Sequence, residues 1–110
     1  IFVLPSIYAE PCAAVVQQAM AMEKPVIGTR LGGTPEMIDE HQTGLLVTAQ
    51  DAQALANAIR ELAQRPADER RVMGEYGRRR VVEHFSLPQM AERTENLYRQ
   101  VIAAKKVSPA

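Results

Sequence analysis

An apolar run, Ile1-Phe2-Val3-Leu4, stops at Pro5-Ser6, and a helical pattern opens shortly after it in Glu10-Pro11-Cys12-Ala13-Ala14-Val15-Val16-Gln17-Gln18. Four consecutive apolar residues leave no wet face, which fits a parallel strand covered on both sides. An acid and a proline followed by small residues describe a strand that gives way to a helix N-terminus. Pro11 suits the first helical turn because it has no N–H to lose. The first N–H groups of a helix have no intrahelical acceptor and its dipole end is positive, so an anion placed there meets ready donors. Cys12, Ala13 and Ala14 are small enough to let a ligand approach the backbone.

The same grammar repeats downstream. Val15, Ala19 and Met22 share one face of a helix expected from Pro11 to about Met22, with Val16 and Met20 beside them. Glu23-Lys24-Pro25 ends it, since proline disfavours helical geometry in the residue before it. Val26-Ile27 reads as a second buried strand, Thr29 to Pro35 as a loop carrying Gly32-Gly33, and Glu36-Met37-Ile38 as a short helical turn. After the turn residues His41 to Gly44, Leu45-Leu46-Val47 forms a third strand. Strand, helix, strand, turn, strand points to α/β units on a parallel sheet.

The remainder is helical. Asp51 is an expected N-cap for a helix carrying Leu55, Ala56, Ile59, Leu62 and Ala63, ended by Arg65-Pro66. A second helix from about Ala67 to Glu83 places Val72, Met73, Tyr76 and Arg80 or Val81 along one side. Ser86 with Gln89 three residues on is a capping-box signature, so a third helix begins near Leu87 with the stripe Met90, Thr94, Leu97, Tyr98, Val101 and Ile102. Lys105 to Ala110 reads as a frayed tail.

Composition narrows the function classes. Thirteen basic and 13 acidic residues in a chain of 110 give no net charge, so there is no electrostatic footprint for nucleic acid. One cysteine excludes an intrachain disulfide framework and suits a reducing compartment. No apolar run is long enough to span a bilayer. Three short strands are few for a free-standing doubly wound domain, and the chain opens within what reads as a buried strand. It is therefore expected to be a single partial domain, residues 1–110, lacking upstream strands.

Two loops carry the candidate chemistry, both at the carboxyl ends of strands, where open α/β sheets bind ligands. Glu10 leaves the first, and Gly32-Gly33-Thr34-Pro35-Glu36 the second. Each residue also has a plainer reading. Glu10 can serve as a capping carboxylate, Gln18 as a solvated helix residue, Gly32 and Gly33 as turn glycines with positive φ, and Glu36 as a partner for its helix dipole. Cys12 has no neighbouring histidine to make it a nucleophile, and His41 and His84 are too isolated to read as metal ligands. Arg70-Arg71 and Arg78-Arg79-Arg80 read first as a solvated helix face and second as a patch for anionic lipid.

Glu10, seven residues, then Gln18-Ala19-Met20-Ala21, Lys24-Pro25-Val26-Ile27, the Gly32-Gly33-Thr34-Pro35-Glu36 loop and Thr43-Gly44-Leu45-Leu46-Val47 together resemble the C-terminal half of a GT-B glycosyltransferase. The group resembled is the retaining, family 4-like glycosyltransferases of group 1, many of which build bacterial cell-surface polysaccharide and lipopolysaccharide. Asp51, Gly77-Arg78, His84-Phe85-Ser86 and Leu97-Tyr98 are similar to that family's C-terminal helices. The fold implied is α/β, a partial Rossmann-like parallel sheet from the nucleotide-sugar-binding domain, followed by C-terminal helices.

The resemblance also implies roles. Glu10 would accept hydrogen bonds from the donor sugar, and no residue here is assigned the chemical step beyond that contact. Backbone amides at Cys12, Ala13 and Ala14 would meet the sugar, and those from Ala14 through Val15 to Val16 the diphosphate. Gln18 stands where the family has a second glutamate that holds the ribose hydroxyls, which removes charge assistance. Ala13 stands where a glycine is common. No metal or other cofactor is implied, and the chain has no Asp-x-Asp pair. The implied partners are a nucleoside diphosphate sugar and a glycan or lipid-linked acceptor held by an N-terminal domain. Work in the cytoplasm follows, with peripheral association at the inner membrane face as a further expectation. The chain alone is expected to be inactive, and a non-catalytic α/β binding module is the alternative. Base, sugar, acceptor, linkage and oligomeric state are not legible.

Overall fold

A computed structural model describes residues 1–107. Three parallel strands, β1 (Phe2–Leu4), β2 (Val26–Thr29) and β3 (Gly44–Val47), lie side by side in chain order. Phe2 pairs with Val26 and Val26 with Gly44, so the three strands run in register from one edge to the other. Between them stand α1 (Ala14–Ala21) and α2 (Thr34–Met37); α3 (Ala52–Gln64), α4 (Ala67–His84) and α5 (Leu87–Val107) follow.

The strands are apolar on both faces because both are covered. Phe2, Leu4 and Leu46 pack on a buried cluster of Ala13, Val16, Met20, Val26, Met37 and Ile38. Val3 packs on the other cluster, which holds Ile27, Leu45, Val47, Ala58, Leu62 and Met73. α1 and α2 therefore cover one face and α3 the other. Helix α4 reaches both: Met73 joins the α3 side, while Val81 and the following Phe85 pack on the α1 side.

Two expected caps form. Asp51 accepts a hydrogen bond from the Ala54 amide at 2.8 Å, and Ser86 Oγ accepts one from the Gln89 amide at 3.4 Å. Helical stripes come out differently. In α1 the buried residues are Val16 and Met20, whereas Val15 (44% exposed) and Met22 (68%) face out. In α4 the buried face is Met73, Gly74 and Gly77, while Val72 and Tyr76 are exposed. The reason is the close approach of α4 to α1. A Cβ on Gly74 would lie 2.0 Å from the Glu23 carbonyl oxygen, so only glycine admits that crossing.

The arginines correct a second expectation. Arg78 donates to the Ala21 carbonyl at 2.8 Å, Arg80 to the Met37 and Glu36 carbonyls at 2.9 and 2.8 Å, and Arg70 to the Arg65 carbonyl at 2.8 Å. α4 thus lends cations to the C-terminal ends of α1, α2 and α3, where orphan carbonyls and the negative dipole end need them. Only Arg71, paired with Glu75, and Arg79, over the Tyr76 ring, remain on the outer face.

Helix α5 continues through Lys105-Lys106-Val107, which the sequence reads as tail; the rest of that expected tail, residues 108–110, lies outside the described residues. Its apolar stripe is exposed along its length, Met90 at 58% and Ile102 at 54%, and no described residue covers it. Among the described residues no helix is long and apolar enough to cross a membrane.

Candidate functional site

Helix α1 starts at Ala14, not at Pro11. Pro11 and Cys12 are exposed and belong to the irregular segment that joins β1 to the helix. Ala13 is the N-cap residue with extended backbone (φ −79°, ψ 101°), and no side chain caps this end. An alanine side chain cannot accept an amide proton, so the Ala14 and Val15 N–H groups head the helix with no side-chain cap and no i−4 carbonyl to meet. The Val16 amide differs, because it already donates to the Ala13 carbonyl at 3.0 Å. Of the amides assigned to a diphosphate, Ala14 and Val15 are therefore the more available.

Glu10 precedes this end and is half-buried. Its carboxylate is not the helix cap. It accepts from Ser6 Oγ at 3.1 Å instead, while the Ser6 carbonyl accepts from Thr29 Oγ1 at 2.9 Å. Gln18 is exposed and lies one turn into the helix, above the exposed Ala14. Pro11 lies outside the helix, and the rise from Ala14 to Gln18 is about 6 Å. Ala13, Ala14, Val15 and Gln18 sit together at one helix end, with Glu10 and Cys12 on the loop that enters it. Among these side chains Ala13 and Val16 are the exceptions, both buried in the core.

The second loop folds directly onto the first. Gly33 N–H donates to the Glu10 carbonyl at 2.8 Å. Gly32 has the positive φ expected of a turn glycine, +55°, but Gly33 has φ −84° and is required for space alone. Glu36 occupies the first turn of α2, where its charge opposes the helix dipole. Three further participants are not singled out by the sequence: Ser6, Thr29 and Gln17. The last is half-buried, and its amide nitrogen reaches Cys12 Sγ at 3.0 Å and Met37 Sδ at 3.7 Å. Each joins residues close in space, and only a near Ser–Glu spacing hints at one of them.

Cys12 is free and exposed. Among the described residues, no group of three or more His, Cys, Asp or Glu side chains is placed to hold a metal ion. A groove of about 230 Å³ opens at the carboxyl ends of the strands, lined in part by Pro5, Ile7, Thr29, Val47 and Asp51. A larger one of about 530 Å³ lies at the opposite, amino edge, between His41, Asp68, Met73 and Tyr76. Neither groove is lined by Glu10, Ala13 to Val16 or Gln18; the carboxyl edge is the candidate because it holds the free helix end and the carboxylate.

Comparison with known proteins agrees with the fold. The family described as Glycosyl transferases group 1 matches residues 1–80. Alpha-maltose-1-phosphate synthase of Mycolicibacterium smegmatis is 41% identical over 94% of this chain, which spans 28% of that protein's length. The structure of sucrose-phosphate synthase from Thermosynechococcus elongatus superposes with a TM-score of 0.82 at 44% identity, over 93% of this chain and 25% of that one. Anabaena HepE, solved in complex with UDP-glucose, shares the fold with a TM-score of 0.79 at 23% identity, over 88% of this chain and 27% of that one. The fold is accordingly that of the C-terminal part of a GT-B glycosyltransferase, and the chain belongs to the glycosyl transferases group 1 family.

Proposed function

We propose that this chain supplies the donor side of a glycosyltransferase cleft and binds a nucleoside diphosphate sugar for transfer, with retained anomeric configuration, to an acceptor hydroxyl. The observation that carries the reading is the N-terminus of α1, uncapped by any side chain, with Glu10 on the loop that enters it at the carboxyl edge of the sheet. As the sugar departs, negative charge gathers on the diphosphate, and oriented N–H groups at Ala14 and Val15 oppose it without reorganising. Glu10 keeps lone pairs for sugar hydroxyls after serving Ser6, since a carboxylate offers about four acceptor sites. Gln18 accepts from the ribose, uncharged. Charge stabilisation of this kind needs no metal, and the reaction is read as metal-independent, in the cytoplasm, with the acceptor brought by another part of the intact protein.

Two acceptor settings are supported to different degrees. Cell-surface polysaccharide or lipopolysaccharide assembly comes from the resemblance of the sequence. The names of the relatives, a maltose-1-phosphate and a sucrose-phosphate synthase, favour a small phosphorylated product.

Titration of the intact protein with UDP-, GDP- and ADP-sugars tests the donor reading. One donor is expected to bind at micromolar strength. Glu10→Ala should weaken it by about 1–3 kcal/mol, and Gln18→Glu should tighten it by about 1 kcal/mol through charge assistance. Absence of binding by every nucleoside diphosphate sugar would overturn the reading in favour of a non-catalytic module.

A further inference from the structure

Glu10 is held at both its side chain and its main chain by residues from the end of β1 and from the loop after β2. Ser6 Oγ–H points a proton at Glu10 Oε1 (3.1 Å), and Ser6 is itself tied down by the buried Thr29, whose hydroxyl donates to the Ser6 carbonyl at 2.9 Å. On the main chain, Gly33 N–H donates to the Glu10 carbonyl at 2.8 Å. The two loops touch backbone to backbone. A Cβ on Gly32 would lie 2.2 Å from the Glu10 carbonyl oxygen, and one on Gly33 2.0 Å from that of Pro11. The clamping loop is in turn anchored, because α2 follows it and Arg80 of α4 holds the Glu36 and Met37 carbonyls.

The segment from Pro5 to Ala13 has no helix or strand of its own, so no regular backbone structure fixes the direction of the carboxylate. We propose that Ser6, Thr29 and the Gly32-Gly33 pair are positioning residues that aim Glu10 at the sugar of the donor. The proposal rests on the donor reading above. Its physical content is preorganisation: a carboxylate already held in one rotamer loses little freedom when hydroxyls of the sugar bind, and a small misplacement costs disproportionately. Ser6 takes one lone pair of Oε1 and leaves Oε2 free for the ligand.

The test is steady-state kinetics and donor titration on the intact protein for Ser6→Ala, Ser6→Thr, Thr29→Val and Gly33→Ala. Gly74→Ala serves as a control, equally crowded but far from Glu10 along the fold. Ser6→Ala and Gly33→Ala are expected to raise the donor KM and Kd about tenfold and leave the acceptor KM unchanged. Ser6→Thr, which keeps the hydroxyl, should restore the donor KM. Gly74→Ala should lower Tm with no change in donor affinity. In a Glu10→Ala background Ser6→Ala and Gly33→Ala should have no further effect. If Gly33→Ala does not fold, Ser6→Ala and Thr29→Val decide. Donor affinity within about twofold of wild type for Ser6→Ala, or losses that persist in full without the Glu10 carboxylate, overturns the positioning role while the donor reading stands. A wild-type protein that binds no nucleoside diphosphate sugar removes both.

Discussion

Residue by residue, the site combines groups that the sequence announces with groups it conceals. Glu10 and Gln18 can be singled out because, eight positions apart, they match the two glutamate positions of the family that the sequence resembles. Ser6 and Thr29 cannot, since each matters only through a partner that folding brings close, and the loop of Gly33 can be singled out while its contact with Glu10 cannot. Arg30 and Glu40 are another such pair. One guanidinium nitrogen of Arg30 reaches both Glu40 oxygens, at 2.6 and 2.7 Å, and the two residues line the outer edge of β3 with Leu45, Leu46 and Val47. Charges there discourage another strand from pairing with the edge. The Arg30 hydrogen bond holds the Glu40 carboxyl below its ordinary value of 4.5. A carboxyl depressed in the folded state contributes stability above the unfolded pKa and loses it as pH falls through the folded one. Acid titration of stability should therefore show a component below pH 4.5 that Glu40→Gln removes. Both groups are partly exposed, so the component should amount to at most about 1 kcal/mol. Identical acid profiles for wild type and Glu40→Gln, measured by urea unfolding at several pH values, would contradict this.

Helices show how far local chemistry carries. Asp51 and Ser86 act on amides three residues ahead, and such caps can be read directly from the sequence. The start of α1 cannot, because Ala13 carries no capping side chain and the path of Pro11 is set by a backbone contact with Gly33. Neither can the roles of Arg78 and Arg80, whose acceptors lie 57 and 43 positions away. The choice of buried face in α4 is likewise tertiary. Gly74 and Gly77 look alike in sequence, yet a Cβ on Gly77 would stand 3.7 Å from Met20, an ordinary contact, against 2.0 Å from the Glu23 oxygen at Gly74. Opposite outcomes follow for the same substitution. Gly77→Ala should stabilise by about 0.5–1 kcal/mol through helix propensity. Gly74→Ala gains the same propensity but must push α4 from α1, and should destabilise by about 1–3 kcal/mol net. Thermal unfolding of the two variants checks the pair, and equal shifts would show that the crossing is looser than described.

For the molecule as a whole, the parallel sheet was readable because apolar runs bounded by proline and glycine leave few alternatives, and Val26 to Thr29 is buried throughout. What escaped was the extent to which the last helix stands apart. The amphipathic pattern of α5 suggests a packed helix, but Met90, Leu97, Tyr98, Val101 and Ile102 are all more than half exposed, and the chain extends 61 Å along its longest axis. A helix without tertiary packing keeps only its own hydrogen bonds and propensity, which leave isolated helices marginal in water. Protection against hydrogen exchange should then divide sharply. Amides of β2, the central strand, and of α1, packed between the sheet and α4, should exchange only on global unfolding, whereas those beyond about Ala91 should exchange through local fraying at far lower cost. Hydrogen exchange followed by mass spectrometry on this chain reads the difference peptide by peptide. In the intact protein, slowed exchange over the same stripe would show that another part of the protein covers it, and equal protection of α5 and α1 in this chain alone would mean that α5 packs on the body after all.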